Sequence, residues 1–242
     1  MNELALFAGA GGGILGGRLL GWRTICGVEI DKFCRDRIMQ RQDEGHIEAF
    51  PIWDDVNTFD GSRWRGLVDL VSGGFPCQAF SSATRGRATA ESMWPQMLRV
   101  VGEVQPRFVF AENVSEDAIC EAQADLADCG YATARVCIRA TDLGADHPRR
   151  RWWLLADADH ESELVGPEYA EMERVAERGA RLWEAEPYDP GVDDGMAGRV
   201  DRYRAIGNGQ LPTMVVAAWC ALTSKLADEG GEHGSQGTNG EG

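Results

Sequence analysis

Basic charge is what this sequence has least of. Its 24 lysines and arginines stand against 39 aspartates and glutamates, a formal net charge of −15. Phosphate contacts usually leave a basic footprint, so this balance argues against a broad nucleic-acid-coating surface. No apolar run reaches membrane length. The glycine-rich start lacks the basic n-region of a signal peptide and reads as fold. Seven cysteines, an odd number without a CxxC pair, suggest reduced thiols in a cytosol. Neither they nor the four histidines (His46, His147, His160, His233) have metal-ligand spacing. No GxxxxGK[ST] stretch occurs, which removes a P-loop, and no internal repeat is visible.

What is present begins with a short strand, Glu3 to Ala8, running into Gly9-Ala10-Gly11-Gly12-Gly13. Glycines there let the backbone turn tightly and approach a ligand at a helix N-terminus. Such turns serve many nucleotides and sometimes nothing. Ile14, Leu15, Leu19 and Leu20 predict a helix packed on a sheet. A second strand, Thr24 to Ile30, ends in Glu29, placed to bind ribose hydroxyls in a Rossmann-type sheet. Asp31 suits a helix N-cap better. Asp55 follows the next short segment and fits either an adenine-edge acceptor or an N-cap.

Leu67 to Val71 predicts a buried strand that Gly73 and Gly74 break, with Pro76 stiffening the turn before Cys77. A thiol on a rigid turn at the carboxyl end of a strand sits where open α/β sheets place ligands. A core cysteine needs neither that turn nor its polar neighbour Gln78. Ser81 to Arg87 is small, polar and basic, a loop whose Arg85 and Arg87 suit phosphates or plain solvent. Ser92 to Val104 predicts a helix with Met93, Met97, Val100, Val101 and Val104 on one side. Arg107 to Val114 predicts a buried strand carrying Glu112, a carboxylate costly among apolar neighbours unless satisfied or used. Asp117 to Asp128 and Tyr131 to Ile138 predict a further helix and strand. Arg149 and Arg151, at alternate positions leading into the last strand, share a face. A basic edge strand is the plain alternative.

Together these segments closely resemble the DNA (cytosine-5) methyltransferase family. Gly73 to Ser81 is similar to its nucleophile motif, with Pro76-Cys77-Gln78, and Glu112-Asn113-Val114 to its Glu-Asn-Val motif. Arg149 and Arg151 match its QxRxR motif, with His147 where Gln is usual. Arg204 to Pro212 resembles its GNxxxP motif. The resemblance implies S-adenosylmethionine as cofactor and S-adenosylhomocysteine as product. Phe7, Gly9, Gly11, Glu29, Ile30, Asp55, Val56, Pro76 and Asn208 would bind the cofactor. Cys77, Glu112, Arg149 and Arg151 would be catalytic, and Ser81, Arg85 and Arg87 would face nucleic acid.

The expected fold is α/β: a Rossmann-like methyltransferase core with a doubly wound, mostly parallel sheet. Residues 1–157 and 199–227 would form the catalytic core, with 158–198 a reduced recognition segment and 228–242 a disordered tail. Cytosine C5 is a poor nucleophile, so the expected chemistry begins with Cys77 adding to C6. Glu112 would act at N3 and Arg151 at O2. The base must be flipped out of duplex DNA or already single-stranded. A dimer or partner protein would supply further target recognition, and no membrane or metal is expected. The biological setting would be restriction-modification in a prokaryotic or phage-infected cytoplasm. An RNA (tRNA) cytosine-5 methyltransferase and a non-catalytic, partner-dependent binding subunit are the alternatives. A thymidylate-synthase-like reaction ranks lower, since the chain opens on a glycine loop without a phosphate-binding arginine set.

Overall fold

The structure, a computed structural model, describes residues 1–76, 92–159 and 209–234. Its strands are β1 (Asn2–Leu6), β2 (Arg23–Val28), β3 (Ile52–Trp53), β4 (Leu70–Gly74), β5 (Phe108–Asn113), β6 (Ala132–Arg139) and β7 (Arg150–Asp157). The helices are α1 (Gly12–Leu19), α2 (Lys32–Asp43), α3 (Trp94–Val104), α4 (Glu116–Asp128) and α5 (Pro212–Gly234). The sheet order is β3-β2-β1-β4-β5-β7-β6. Pairs from β3 to β5 are parallel, while β7 runs antiparallel to both β5 and β6. This is the doubly wound, mostly parallel sheet expected from alternating strand and helix patterns.

Strand order reverses between β1 and β4, and the crevice at such a reversal is where open α/β sheets bind ligands. The carboxyl ends of β1, β2, β4 and β5 open there. The antiparallel β7 brings its amino end to the same edge, with Trp152 opposite Asn113. Arg151 therefore begins a strand yet lies beside residues that end one.

Both faces of the sheet are covered. Met97, Val100, Val101 and Val104 of α3 and Ile119, Ala122 and Leu126 of α4 are buried with Leu4, Val71, Val109 and Leu154. The face expected for α3 is thus the one buried, with Trp94 added at its start. On the opposite face α5 contributes Met214, Val215, Ala218, Trp219 and Leu222 against Phe110, Trp153 and Leu155. Each such large apolar side chain stabilises the fold by roughly 1.5–3 kcal/mol when fully buried.

Helix α1 departs from expectation. Ile14 is buried, but Leu15 and Leu19 are 44% and 51% exposed. The packed face runs instead through Gly16 and Gly17. A Cβ on Gly16 would lie 2.5 Å from the Val215 Cβ, and one on Gly17 2.5 Å from the Trp22 ring. Glycine brings α5 and Trp22 against the helix backbone and turns the leucines outward. Helix α5 also extends to Gly234, into the stretch read as tail. Most of the 158–198 segment and residues 235–242 lie outside the described residues.

Candidate active site

Glu112 is the penultimate residue of β5 and is 6% exposed. Its Oε1 forms an ion pair with Arg151, 2.9 Å from Nε. Burial pushes the carboxyl's pKa up, and the nearby Arg151 and Arg149 guanidiniums and a hydrogen bond from the Gln210 side chain oppose that rise. Burial also lowers the Arg149 pKa, reinforced by Arg151 and opposed by Glu112. Arg149 Nη2 donates to the carbonyl of Gly209. The two arginines expected to share a face thus converge on one carboxyl, and one of them also anchors the returning C-terminal segment.

Gly73 and Gly74 do not break β4. They are its last two residues, opposite Ala111 and Glu112 of β5. Their glycine identity serves close approach instead. A Cβ on Gly73 would lie 2.6 Å from the Leu6 carbonyl oxygen, and one on Gly74 2.6 Å from Glu112 Oε2. Any larger residue at 74 would push against the carboxylate.

Asn113, which the sequence reading passed over, is 3% exposed. Its Nδ2 donates to the Phe75 carbonyl at 2.9 Å, and its Oδ1 accepts from Ser115 N at 2.9 Å. One amide therefore fixes the β4 exit and the start of α4. Pro76 is exposed, and its carbonyl accepts from Met93 N at 3.2 Å. The available signal for Asn113 was its place beside Glu112: a buried amide next to a buried acid needs partners of its own.

At the ends of β1 and β2, Phe7, Gly9 and Gly11 take positive φ of 51°, 54° and 89°. Glycine adopts this at no steric cost, while Phe7 is held there by its surroundings. Glu29 Oε2 accepts from Gly9 N and its Oε1 from Asp31 N, both at 2.7 Å. The acid thus shapes the glycine turn, and a carboxylate's four acceptor positions leave room for more partners. Ile30 beside it is 72% exposed, whereas Val56 is 6% exposed and packs in the core. Asp55 accepts from the backbone and side-chain amides of Asn57, capping the turn Val56–Thr58. Asp31 caps α2 through Phe33 N and Cys34 N, as expected.

His147 is half-buried on the approach to β7. Cys77, Ser81, Arg85, Arg87 and Asn208 lie outside the described residues. Among the described residues no cluster of metal-binding side chains occurs and no helix is long and apolar enough to cross a membrane. A cavity of about 390 Å³ lies at the β3 edge, lined by residues including Trp53, Phe59 and Trp64, and none of the candidate site residues lines it.

Comparison with known proteins gives the same family. Among curated proteins, the Type II methyltransferase M.Eco47II of Escherichia coli is 34% identical over 114 residues, 46% of this chain and 26% of that protein. The Type II methyltransferase M.NgoMIV of Neisseria gonorrhoeae is 30% identical over 165 residues, 64% of this chain and 51% of that protein. The chain thus spans between about a quarter and a half of these relatives' length. In fold it is similar to a putative DNA modification methyltransferase encoded within an E. coli prophage. That match has a TM-score of 0.53 and 24% identity, covering 69% of this chain and 49% of the other. The S. pombe Dnmt2 methyltransferase matches at a TM-score of 0.53 and 17% identity, covering 80% and 58%. The description "C-5 cytosine-specific DNA methylase" matches residues 1–179 of the 242. A match over that much of the chain shows that the chain belongs to the C-5 cytosine-specific DNA methylase family.

Proposed function

We propose that this protein transfers a methyl group from S-adenosylmethionine to C5 of cytosine in DNA. The observation that carries the reading is the buried Glu112 carboxyl, raised in pKa and gripped by Arg151, at the strand edge from which Cys77 follows three residues after Gly74. A buried carboxyl with a raised pKa, set in a crevice, suits contact with one ring nitrogen of a base.

The residues at the ends of β1 and β2 fit the cofactor. Glu29 retains acceptor capacity for ribose hydroxyls, exposed Ile30 offers an apolar face to adenine, and the Gly9–Gly11 turn brings backbone close. Asp55 and Val56 would bound the adenine, with Pro76 and Asn208 nearer the methionine end. Bound there, the cofactor supplies an electrophilic methyl on a sulfonium.

Cys77 adds as thiolate to C6, while Glu112 gives its proton to N3. Electron density moves to C5, which forms a bond to the methyl carbon as the carbon–sulfur bond breaks. Arg151, supported by Arg149, holds O2 and balances the charge developing on the ring. Water takes the C5 proton as the C6–sulfur bond breaks and expels the Cys77 thiolate, and N3 returns its proton to Glu112. The cytosine must leave a duplex stack to meet these groups, with Ser81, Arg85 and Arg87 facing the backbone. Residues 1–157 and 199–227 serve as catalytic core and 158–198 as recognition segment, with a dimer or partner adding contacts.

Methylation mapping of DNA from a host lacking other cytosine methyltransferases tests the reading. New C5 marks that vanish with Cys77→Ser are expected. Marks on tRNA and none on DNA, or Cys77→Ser retaining a tenth of the turnover, would overturn it.

A further inference from the structure

The segment between Gly209 and Pro212 returns across the mouth of the crevice before entering α5, and Gln210 occupies a slot there cleared by three glycines. At Gly12 a Cβ would overlap the Gln210 carbonyl oxygen, and at Gly13 it would overlap Gln210 Oε1. At Gly74 it would lie 3.2 Å from Gln210 Nε2 and 2.6 Å from Glu112 Oε2. The amide is therefore stretched between the first turn of α1, which its oxygen faces, and the end of β4, which its nitrogen faces. Gln210 Nε2 and Glu112 Oε2 therefore lie side by side over Gly74, and the amide is a hydrogen-bonding influence that opposes the rise in the Glu112 pKa. That polarity is fixed by chemistry, since the amide oxygen would repel a carboxylate and the NH₂ donates to it.

The backbone of the same segment is held independently. Arg149 donates to the Gly209 carbonyl, and the α5 turn closes with Met214 N and Val215 N on the Leu211 carbonyl at 3.0 and 3.1 Å. Val215 in turn lies against Gly16 of α1. Gln210 is thus borne by a frame that includes the proposed cofactor turn and points at the proposed acid.

We infer that Gln210 is a positioning residue for Glu112, an amide wedge that aims the carboxyl from the side opposite Arg151 and ties it to the glycine turn entering α1. This rests on the function proposed above. Arg149 and Arg151 are the charged groups facing Glu112 from β7 and its approach, and β4 offers only Gly74. The amide is then a donor at this carboxyl whose hydrogen bond carries no charge of its own and does not titrate. It stabilises the ionised form, so removing it moves Glu112 further up.

Gln210→Leu keeps the volume and deletes the donor. Its kcat should fall about 10- to 100-fold, the range of one hydrogen bond to a charged group. KM for S-adenosylmethionine should stay within about threefold, and the alkaline limb of the pH–rate profile should move up. Gln210→Glu supplies a carboxylic OH donor at low pH and a second carboxylate at high pH. It should approach wild type near pH 5.5 and lose activity steeply above. Direct NMR titration of the Glu112 carboxyl, assigned by its loss in Glu112→Gln, reads the same effect without turnover and should show a higher pKa in Gln210→Leu.

An unchanged Glu112 titration in Gln210→Leu would overturn the inference even if the wild type methylates DNA. A shifted titration in a wild type that methylates nothing would support the Gln210 contact while sinking the functional reading. A KM increase with kcat and pH profile unmoved would assign Gln210 to the cofactor turn alone, and that also overturns the inference. Should Gln210→Leu not fold, the Gln210→Glu pH profile decides: equal activity at pH 5.5 and 8 refutes it.

Discussion

Glu112 would be a poor acid in water, where its carboxyl would be ionised at neutral pH. Burial raises its pKa, and the cations of Arg151 and Arg149 limit the rise, so the group keeps both access to a proton and a place for a negative charge. Glu112→Gln, which cannot give up a proton, should lower kcat by about 10²–10⁴-fold while leaving S-adenosylmethionine binding intact, measurable by calorimetry. Arg151→Leu removes the closest cation from a buried carboxylate and should cost about 3 kcal/mol at pH 8. The loss should shrink at pH 5, because protonation of Glu112 relieves the unpaired charge. A penalty equal at both pH values would show that the pair matters only as packing. Two buried thiols are unsuited to the nucleophile role proposed for Cys77. Burial pushes Cys26 up to about 12 and Cys220 up to about 11, which keeps both as inert thiols.

At the scale of elements, three adjacent strands are joined by one acid. Glu3 of β1 is 1% exposed, and its carboxyl accepts from Thr24 Oγ1 of β2 at 2.5 Å and Ser72 Oγ of β4 at 2.6 Å. These strands carry the proposed cofactor turn, the ribose acid and the nucleophile turn. Burial pushes Glu3 up to about 7 from 4.5, against the two hydroxyl hydrogen bonds. Because the folded pKa is the higher one, the neutral acid's contribution is complete below pH 4.5 and is lost as pH rises through about 7. Glu3→Gln should therefore reduce the stability difference between pH 5 and pH 8 by about 2–3 kcal/mol in urea unfolding. An unchanged pH dependence would mean Glu3 is not the titrating group. Gly74→Ala tests the β4–β5 approach: its methyl must displace the Glu112 carboxylate. Activity should fall at least tenfold with the unfolding midpoint shifted little, since a local rotation of the carboxyl absorbs the clash.

For the whole molecule the tension is between an acidic chain and the proposed DNA substrate. Arg149 and Arg151, drawn into the crevice beside Glu112, are spent on the carboxyl and on Gly209. Arg107 is likewise committed to buried Asp157, at 3.0 Å, and Arg99 to Glu103 and the carbonyls of Val56 and Phe59. These cations brace the fold and do not present a phosphate-binding row. DNA affinity should accordingly show a shallow salt dependence, about two to four ions released, by titration between 50 and 200 mM salt. A slope near ten would require a basic surface from a second copy or another protein.

Much of the candidate site was legible in the chain alone. Strand-to-helix glycine turns, an acid ending a strand and arginines at alternate positions are local patterns, and the doubly wound, mostly parallel character of the sheet followed from alternating strands and helices. Cys77 was read this way too, from its own neighbours, and lies outside the described residues. What the sequence could not show was which side chains meet. Gly74 read as a breaker because sequence displays its conformational freedom, whereas its use depends on Glu112 lying across the β4–β5 pair. Leu15 and Leu19 read as core because periodicity counts apolar side chains, and it cannot see that Gly16 and Gly17 let Val215 and Trp22 come closer. Gln210 stands 98 positions from Glu112, and Asn113 stands 38 from the carbonyl it holds. Local composition fixes backbone preference and burial, but a hydrogen bond between distant segments exists only once strand order and helix packing have brought its two ends together.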